Sequence, residues 1–149
     1  MGCVDTELAY IAGFLDGEGC ITLVPRKKRG VHNGYFSRVF ISNTNESILR
    51  WVEFKLGGYV NVRKHTNPHK HKRGYQWYIS EALCESFLLL VRPYLRIKGE
   101  QADLLLEYRK TVRESKHYPD RLGMDANTVK RRNELYQQMR RLNKKGPPL

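Results

Sequence analysis

Leu8, Ile11 and Leu15 recur at offsets of three and seven, the spacing of one helical face. Asp5 and Thr6 just ahead supply a helix start signal. Ala9, Gly13 and Asp16 fall on a second face, where an interior glycine costs about 1 kcal/mol of helix propensity unless another backbone must come close. Gly17 and Gly19 permit the helix to end and lead Glu18 toward a strand. Residues 20–24 are β-branched and apolar, residues 25–34 form a basic loop region, and residues 35–42 resume apolar alternation, so the stretch predicts a hairpin. Residues 45–56 return to helical spacing (Ile48, Leu49, Val52, Leu56) and stop at Gly57-Gly58. Residues 59–65 and 75–80 predict a second hairpin around Asn67-Pro68. Residues 81–92 predict a helix with Leu83, Phe87, Leu90 and Val91 inward, ended by Pro93, and residues 99–114 a further one with Ala102, Leu105, Leu106 and Tyr108. A loop over 116–123 and a last helix over 125–142 (Val129, Tyr136, Met139, Leu142) follow, then a flexible tail over 144–149. The order is αββαββα plus two helices, an α+β pattern. At 149 residues and 40% apolar content, one globular domain over 1–143 is expected, with its core over about 5–110 and a helical extension over about 111–143.

Charge changes the picture. The net charge of +12 calls for a polyanionic partner, with nucleic acid first. No acid occurs from Gly19 to Asn45 or from Phe54 to Ser80, which are the strand-forming stretches. Side chains alternate across a strand. If Ile21 and Leu23 face a core, Thr22, Val24, Arg26 and Lys28 share the other face. The same logic adds Arg38 opposite Val39 and Ile41, then Asn61, Arg63 and His65 opposite Val60 and Val62, and Gln76 and Tyr78 if Trp77 and Ile79 are core; Arg73 lies in the same acid-free stretch. Arg, Lys, Asn, Gln and His are mostly the types that hydrogen-bond base edges in a major groove. A merely solvated sheet face is common but does not explain the exclusion of acids. An RNA-recognition sheet would carry paired aromatics, and although Phe36, Phe40 and Tyr78 imitate them, the glycine-aromatic signature of that fold is missing. His65, His69 and His71 lack partner ligands at zinc spacing. Three scattered cysteines indicate neither a disulfide framework nor a zinc pair, so an intracellular, reducing compartment is expected. No apolar run reaches a membrane span and no signal pattern is seen, so no membrane partner is expected. No small-molecule substrate is expected either.

Residues 11–19 read Ile-Ala-Gly-Phe-Leu-Asp-Gly-Glu-Gly. Taken alone, two acids among glycines at a helix end are an ordinary solvated cap. The whole string, however, closely resembles the LAGLIDADG motif of homing endonucleases. Ile11 stands for the first Leu, Phe14 and Leu15 for the central apolar pair, and Glu18 for the second Asp. The resemblance covers about residues 5–110 and implies one four-stranded antiparallel sheet backed by helices, the order found above. It further implies that motif helices of two copies pack together and that the second acid of each holds a divalent metal at the scissile phosphates. By position the metal ligands are Glu18 and the carbonyl of Gly19, while Asp16 has a more structural place. Residues 93–98 resemble the segment after the third helix, whose lysine helps activate the attacking water; Lys98 matches it. Asn43 stands where a water-orienting Gln is frequent. The basic residue expected a helical turn later has no match at Ser47 or Ile48, and Arg50 or Arg96 is its candidate replacement. With no second motif in the chain, the resemblance implies a homodimer through the surface of Ala9, Ala12 and Gly13, since only small residues let helices pack at short range.

Phosphodiester hydrolysis requires an activated water, charge neutralisation at phosphorus and help for the leaving oxygen, which hard cations supply. Mg2+ is the expected cofactor, with Mn2+ as a second candidate and Ca2+ expected to bind without supporting efficient cutting. The expectation is an intron-encoded, homodimeric endonuclease cutting double-stranded DNA at a pseudo-palindrome of about 20 bp, from strands spanning roughly one duplex turn. Two alternatives keep the fold without cleavage, an RNA maturase and a DNA-binding regulator. A basic ribosomal-type protein fits the charge but not the motif. Lys130, Arg131, Arg132, Arg140 and Arg141 of the last helix are candidates for flanking phosphates or for a solvated face.

Overall fold

A computed structural model describes residues 2–28, 31–64, 69, 73–114 and 125–144, with side chains at all of these but 28 and 31–33. In chain order they form α1 (Asp5–Glu18), β1 (Gly19–Lys28), β2 (Val31–Asn43), α2 (Glu46–Leu56), β3 (Tyr59–Arg63), β4 (Gly74–Tyr78), α3 (Glu81–Val91), a 3-10 turn (Arg92–Tyr94), α4 (Gly99–Glu114) and α5 (Ala126–Asn143). The strands make one antiparallel sheet in the order β1-β2-β4-β3. The expected α+β architecture is therefore present. The expected loop over 116–123, the Asn67-Pro68 turn and residues 145–149 of the tail lie outside the described residues.

The first hairpin is longer than its sequence predicts. β1 runs through Pro25, and β2 begins at Val31 rather than Tyr35. Proline lacks a ladder N–H, but β1 is an edge strand and its register shifts between Pro25 and Lys27, so the residue is accommodated there. α1 starts at Asp5 with Val4 as the residue before it, and the Glu7 carboxylate reaches back to accept the Val4 N–H at 3.1 Å. α2 stops where Gly57 and Gly58 take positive φ values of 79° and 84°. A Cβ at Gly58 would also lie 2.2 Å from the Tyr78 carbonyl, so glycine is required twice over.

The core fills the face of the sheet that carries Ile21, Leu23, Val39, Ile41 and Trp77, against Leu8, Ile11 and Leu15 of α1, Leu49 and Val52 of α2, and Leu105 of α4. Trp77 is fully buried, and its indole N–H donates to the Gly57 carbonyl at 2.8 Å, tying β4 to the end of α2. α3 is turned from its expected orientation. Cys84, Phe87, Leu88 and Val91 face the core, while Leu83 and Leu90 are 46% and 47% exposed. Its sequence is apolar nearly all round, so periodicity does not choose a face. Val62, expected inward, is exposed on edge strand β3, and Val129 and Leu142 of α5 lie outside its buried line of Arg132, Leu135 and Met139. The Tyr108 hydroxyl accepts from the Tyr35 N–H at 3.0 Å and donates to the Tyr35 carbonyl at 2.7 Å, fastening β2 to α4. Asn143 donates to the Ile21 carbonyl at 2.9 Å, which satisfies part of the free edge of β1 from the end of α5.

Candidate functional site

The last turn of α1 separates two carboxylates. Asp16 is buried, and its Oδ2 and Oδ1 accept the backbone N–H groups of Arg96 and Lys98 at 2.8 and 2.9 Å. The Lys98 ammonium returns the contact by donating to the Asp16 carbonyl. This exchange pins the segment after the 3-10 turn, Lys98 included, to Asp16 in the last turn of α1, two residues before Glu18. Glu18 itself is exposed and has no hydrogen bond or ion pair among the described residues. Gly19 begins β1 in extended conformation, and a Cβ there would sit 2.8 Å from the Leu15 carbonyl. Glycine is thus needed for close approach of strand to helix end. Burial pushes the Cys20 thiol up while Lys98 and Arg38 pull it down, so both cations stand near the start of β1.

The donor set suits a hard cation only in part. With both Asp16 oxygens occupied by amides, Glu18 and the Gly19 carbonyl are the oxygen donors at this helix end that fit a divalent ion. No group of three or more His, Cys, Asp or Glu side chains converges among the described residues. The Asn43 side-chain oxygen accepts the Asn45 N–H at 2.8 Å in the turn before α2, and among the described residues its NH2 group keeps both donors. Asn43 lines a cleft between α1 and α2 with Tyr10, Phe14 and Trp51 rather than meeting Glu18. Of the two candidate replacement bases, Arg50 is held between Glu46 and Glu53 at 3.2 and 3.0 Å, whereas Arg96 belongs to the segment pinned by Asp16.

Ala9 and Gly13 are exposed, and a Cβ built at Gly13 or Gly17 meets nothing within 4 Å. Ala12 does not belong with them. It is fully buried in the chain's own core, because position 12 follows Leu8 and precedes Leu15 on the inward side of the helix.

On β1 and β2 the alternation holds. Arg38, Asn61, Arg63 and Arg73 are exposed and Thr22, Val24, Gln76 and Tyr78 half-buried, on or beside the face opposite the core. Arg26 is the exception among the expected readers. Its Nε donates to the Tyr35 carbonyl at 3.2 Å, its other end pairs with Glu81, and it lies 3.9 Å over the Phe36 ring, so its donors are largely taken within the chain. Glu81 also accepts the Ser37 N–H at 2.7 Å, where β2 runs past the end of β4. His65 and the Lys28 side chain lie outside the described residues, as does His71. Sequence reasoning names Phe36 and Phe40, which flank Arg38 at offsets of two, only as imitations of RNA-recognition aromatics, and leaves out Tyr59 as a face residue. On α5, Arg132 is buried against Thr111 and Arg131 pairs with Glu107 and Glu134, which leaves Lys130, Arg140 and Arg141 exposed. No described helix is long and apolar enough to cross a membrane.

The fold recurs in solved structures. The archaeal intron-encoded homing endonuclease I-Vdi141I, complexed with DNA, superimposes with a TM-score of 0.75 over 96% of this chain and 87% of that one, at 21% identity. The LAGLIDADG homing endonuclease I-GzeII in complex with its DNA target gives 0.70 over 89% of this chain and 44% of that one, at 14% identity. The chain has the LAGLIDADG homing endonuclease fold. The resemblance carried by residues 11–19 thus holds at the level of the LAGLIDADG architecture. The homing endonuclease I-CvuI, bound to its target in the presence of calcium, matches with a TM-score of 0.72 over 97% and 87% of the two chains at 20% identity. In sequence, the chain is 27% identical over 120 residues to DNA endonuclease I-CreI of Chlamydomonas reinhardtii, covering 76% of this chain and 69% of that protein. It is 32% identical over 93 residues to the reverse gyrase of Methanocaldococcus jannaschii, which is 62% of this chain and only 5% of that protein. No family model matches.

Proposed function

We propose that the chain is a site-specific, divalent-metal-dependent DNA endonuclease of the homing type that acts as a homodimer. The observation that carries this reading is the division of labour at the end of α1. A buried Asp16 holds Lys98 at the helix turn that ends in the exposed Glu18, where β1 of a sheet with acid-free strands begins. That I-Vdi141I, I-GzeII and I-CvuI are seen bound to DNA supports a duplex as partner.

In this reading Glu18 and the Gly19 carbonyl hold the ion, magnesium first and manganese second, with calcium binding without efficient cutting. When bound, the ion supplies Lewis-acid charge at the scissile phosphate. Lys98, held against the Asp16 carbonyl, polarises the attacking water and offsets charge at phosphorus, and Arg96 takes the remaining basic role. Arg38, Asn61, Arg63, Arg73, Gln76 and Thr22 orient the duplex through its major groove. Asn43, whose side-chain oxygen accepts the Asn45 N–H, keeps its amide NH2 group to orient water. A homodimer is supported by the single motif in the sequence and by the exposed small-residue surface of Ala9, Gly13 and Gly17. β1 with ten residues spans about 33 Å, so two sheets would cover about two duplex turns, roughly 20 bp.

The experiment is selection of cleaved products from a randomised duplex library in magnesium, with both new ends sequenced. One pseudo-palindromic site cut on both strands is expected. A chain that retains a specific duplex yet leaves it intact in magnesium and in manganese would be a binding protein of this fold instead.

A further inference from the structure

The open face of the sheet is banded. Cross-strand partners on that face form rows, starting nearest Glu18 with the polar row Ser42, Gln76 and Asn61. Two residues outward comes an aromatic row, in which Phe40 pairs with Tyr78 and Tyr78 with Tyr59, with Cys20 opposite Phe40 on β1. The next row is polar again, Thr22 opposite Arg38, and the one beyond is apolar, Val24 opposite Phe36. Phe36 and Tyr59 are 40% and 48% exposed, although each sits on a strand whose other face is available for apolar residues.

The rings are arranged as edges, not platforms. Tyr59 and Tyr78 stack with centroids 5.4 Å apart and planes at 21°, and Phe40 lies 5.8 Å from Tyr78 on its other side. Two nearly parallel rings at that separation cannot lie side by side in one plane without overlapping, so they stand face to face, and the Tyr78 hydroxyl at its rim donates to the Gln76 side-chain oxygen. An unpaired base needs an open ring face to stack on. A ring edge instead offers apolar contact in a groove, and the apolar group a major groove presents is the 5-methyl of thymine.

We propose that the rows Phe40–Tyr78–Tyr59 and Val24–Phe36 are specificity determinants that read thymine methyl groups, alternating with the rows that read by hydrogen bonds. This rests on the endonuclease reading above and refines which residues read its site. Rows two residues apart along a strand lie about 6.7 Å from one another, close to two base-pair steps. The two apolar rows, four residues apart, therefore address blocks of each half-site centred about four base pairs from one another.

The test uses the site recovered from the library and replaces each thymine in turn by deoxyuracil, which removes one methyl and nothing else. Loss of affinity and of cleavage by about fourfold per buried methyl is expected in two blocks per half-site, with no change between them. Tyr59→Thr should erase the penalty in the block nearer the cut and leave the outer one, and Phe36→Thr should do the reverse. Cleavage of the unmodified site is the internal control. If that site is cut but holds no thymine in these blocks, or if deoxyuracil is neutral throughout, or if its penalty persists in both variants, the proposal is overturned while the endonuclease reading stands. Tighter binding of a single-stranded RNA than of the duplex would also overturn it, and a chain that cuts nothing loses both.

Discussion

Asp16 and Glu18 are two residues apart on one helix turn and have opposite surroundings. Asp16 points inward, 8% exposed, with one backbone amide on each oxygen. Glu18 points outward with none among the described residues. A carboxylate whose oxygens are already occupied holds the fold together, and one left open at the mouth of a basic face is available to a cation. The same division separates Ala12, sealed in the core, from Gly13 next to it, which faces open space. Position around the helix, rather than residue type, assigns the role.

If that division is right, inward changes damage folding and outward ones damage only function. Asp16→Ala leaves two amides without a charged acceptor and should lower unfolding stability by about 3 kcal/mol, measured by urea denaturation. A loss under 1 kcal/mol would mean the clamp is dispensable. Gly13→Leu fills space that is empty in the single chain, so it should keep or raise the stability of the isolated chain by about 0.5 to 1 kcal/mol through helix propensity. Light scattering of the site-bound protein should find two chains for the unmodified protein and one for this variant, and one chain in both would end the dimer reading. Arg38→Ala should leave stability unchanged and cost about 1 to 3 kcal/mol of discrimination at one position in each half-site, read from a cleavage library. Lys144→Ala, at the end of α5 beside the β1 edge, should weaken all duplexes alike and reduce the salt slope by about 1. A change in sequence preference there would extend the reading surface onto α5.

Much of this was legible before any coordinates. α4 occupies residues Gly99–Glu114 as its periodicity predicts, α2 ends at the paired glycines, and the alternation that buries Ile21, Val39 and Trp77 also exposes Arg38. What could not be read depends on partners distant in sequence. Pro25 belongs to a strand because β1 happens to be an edge. α3 is apolar on too many sides for its buried face to be chosen without its neighbours. Arg26 is withdrawn from the reading set by Glu81, 55 residues away, and Asp16 meets Arg96 and Lys98 across 80 and 82 residues. The burial of Ala12 is not legible because a small residue fits equally well in a core and at a helix contact.

The most direct measurement of the central claim pairs binding with cutting in Glu18→Gln. The amide keeps the shape and removes the charge, at an exposed position where substitutions change stability by about 0.5 kcal/mol or less. The account predicts a thermal transition and a metal-free site affinity equal to the unmodified protein, with the single-turnover cleavage rate in magnesium lower by about a hundredfold or more. Cleavage in magnesium at the unmodified rate would contradict it, and would move the metal away from the end of α1.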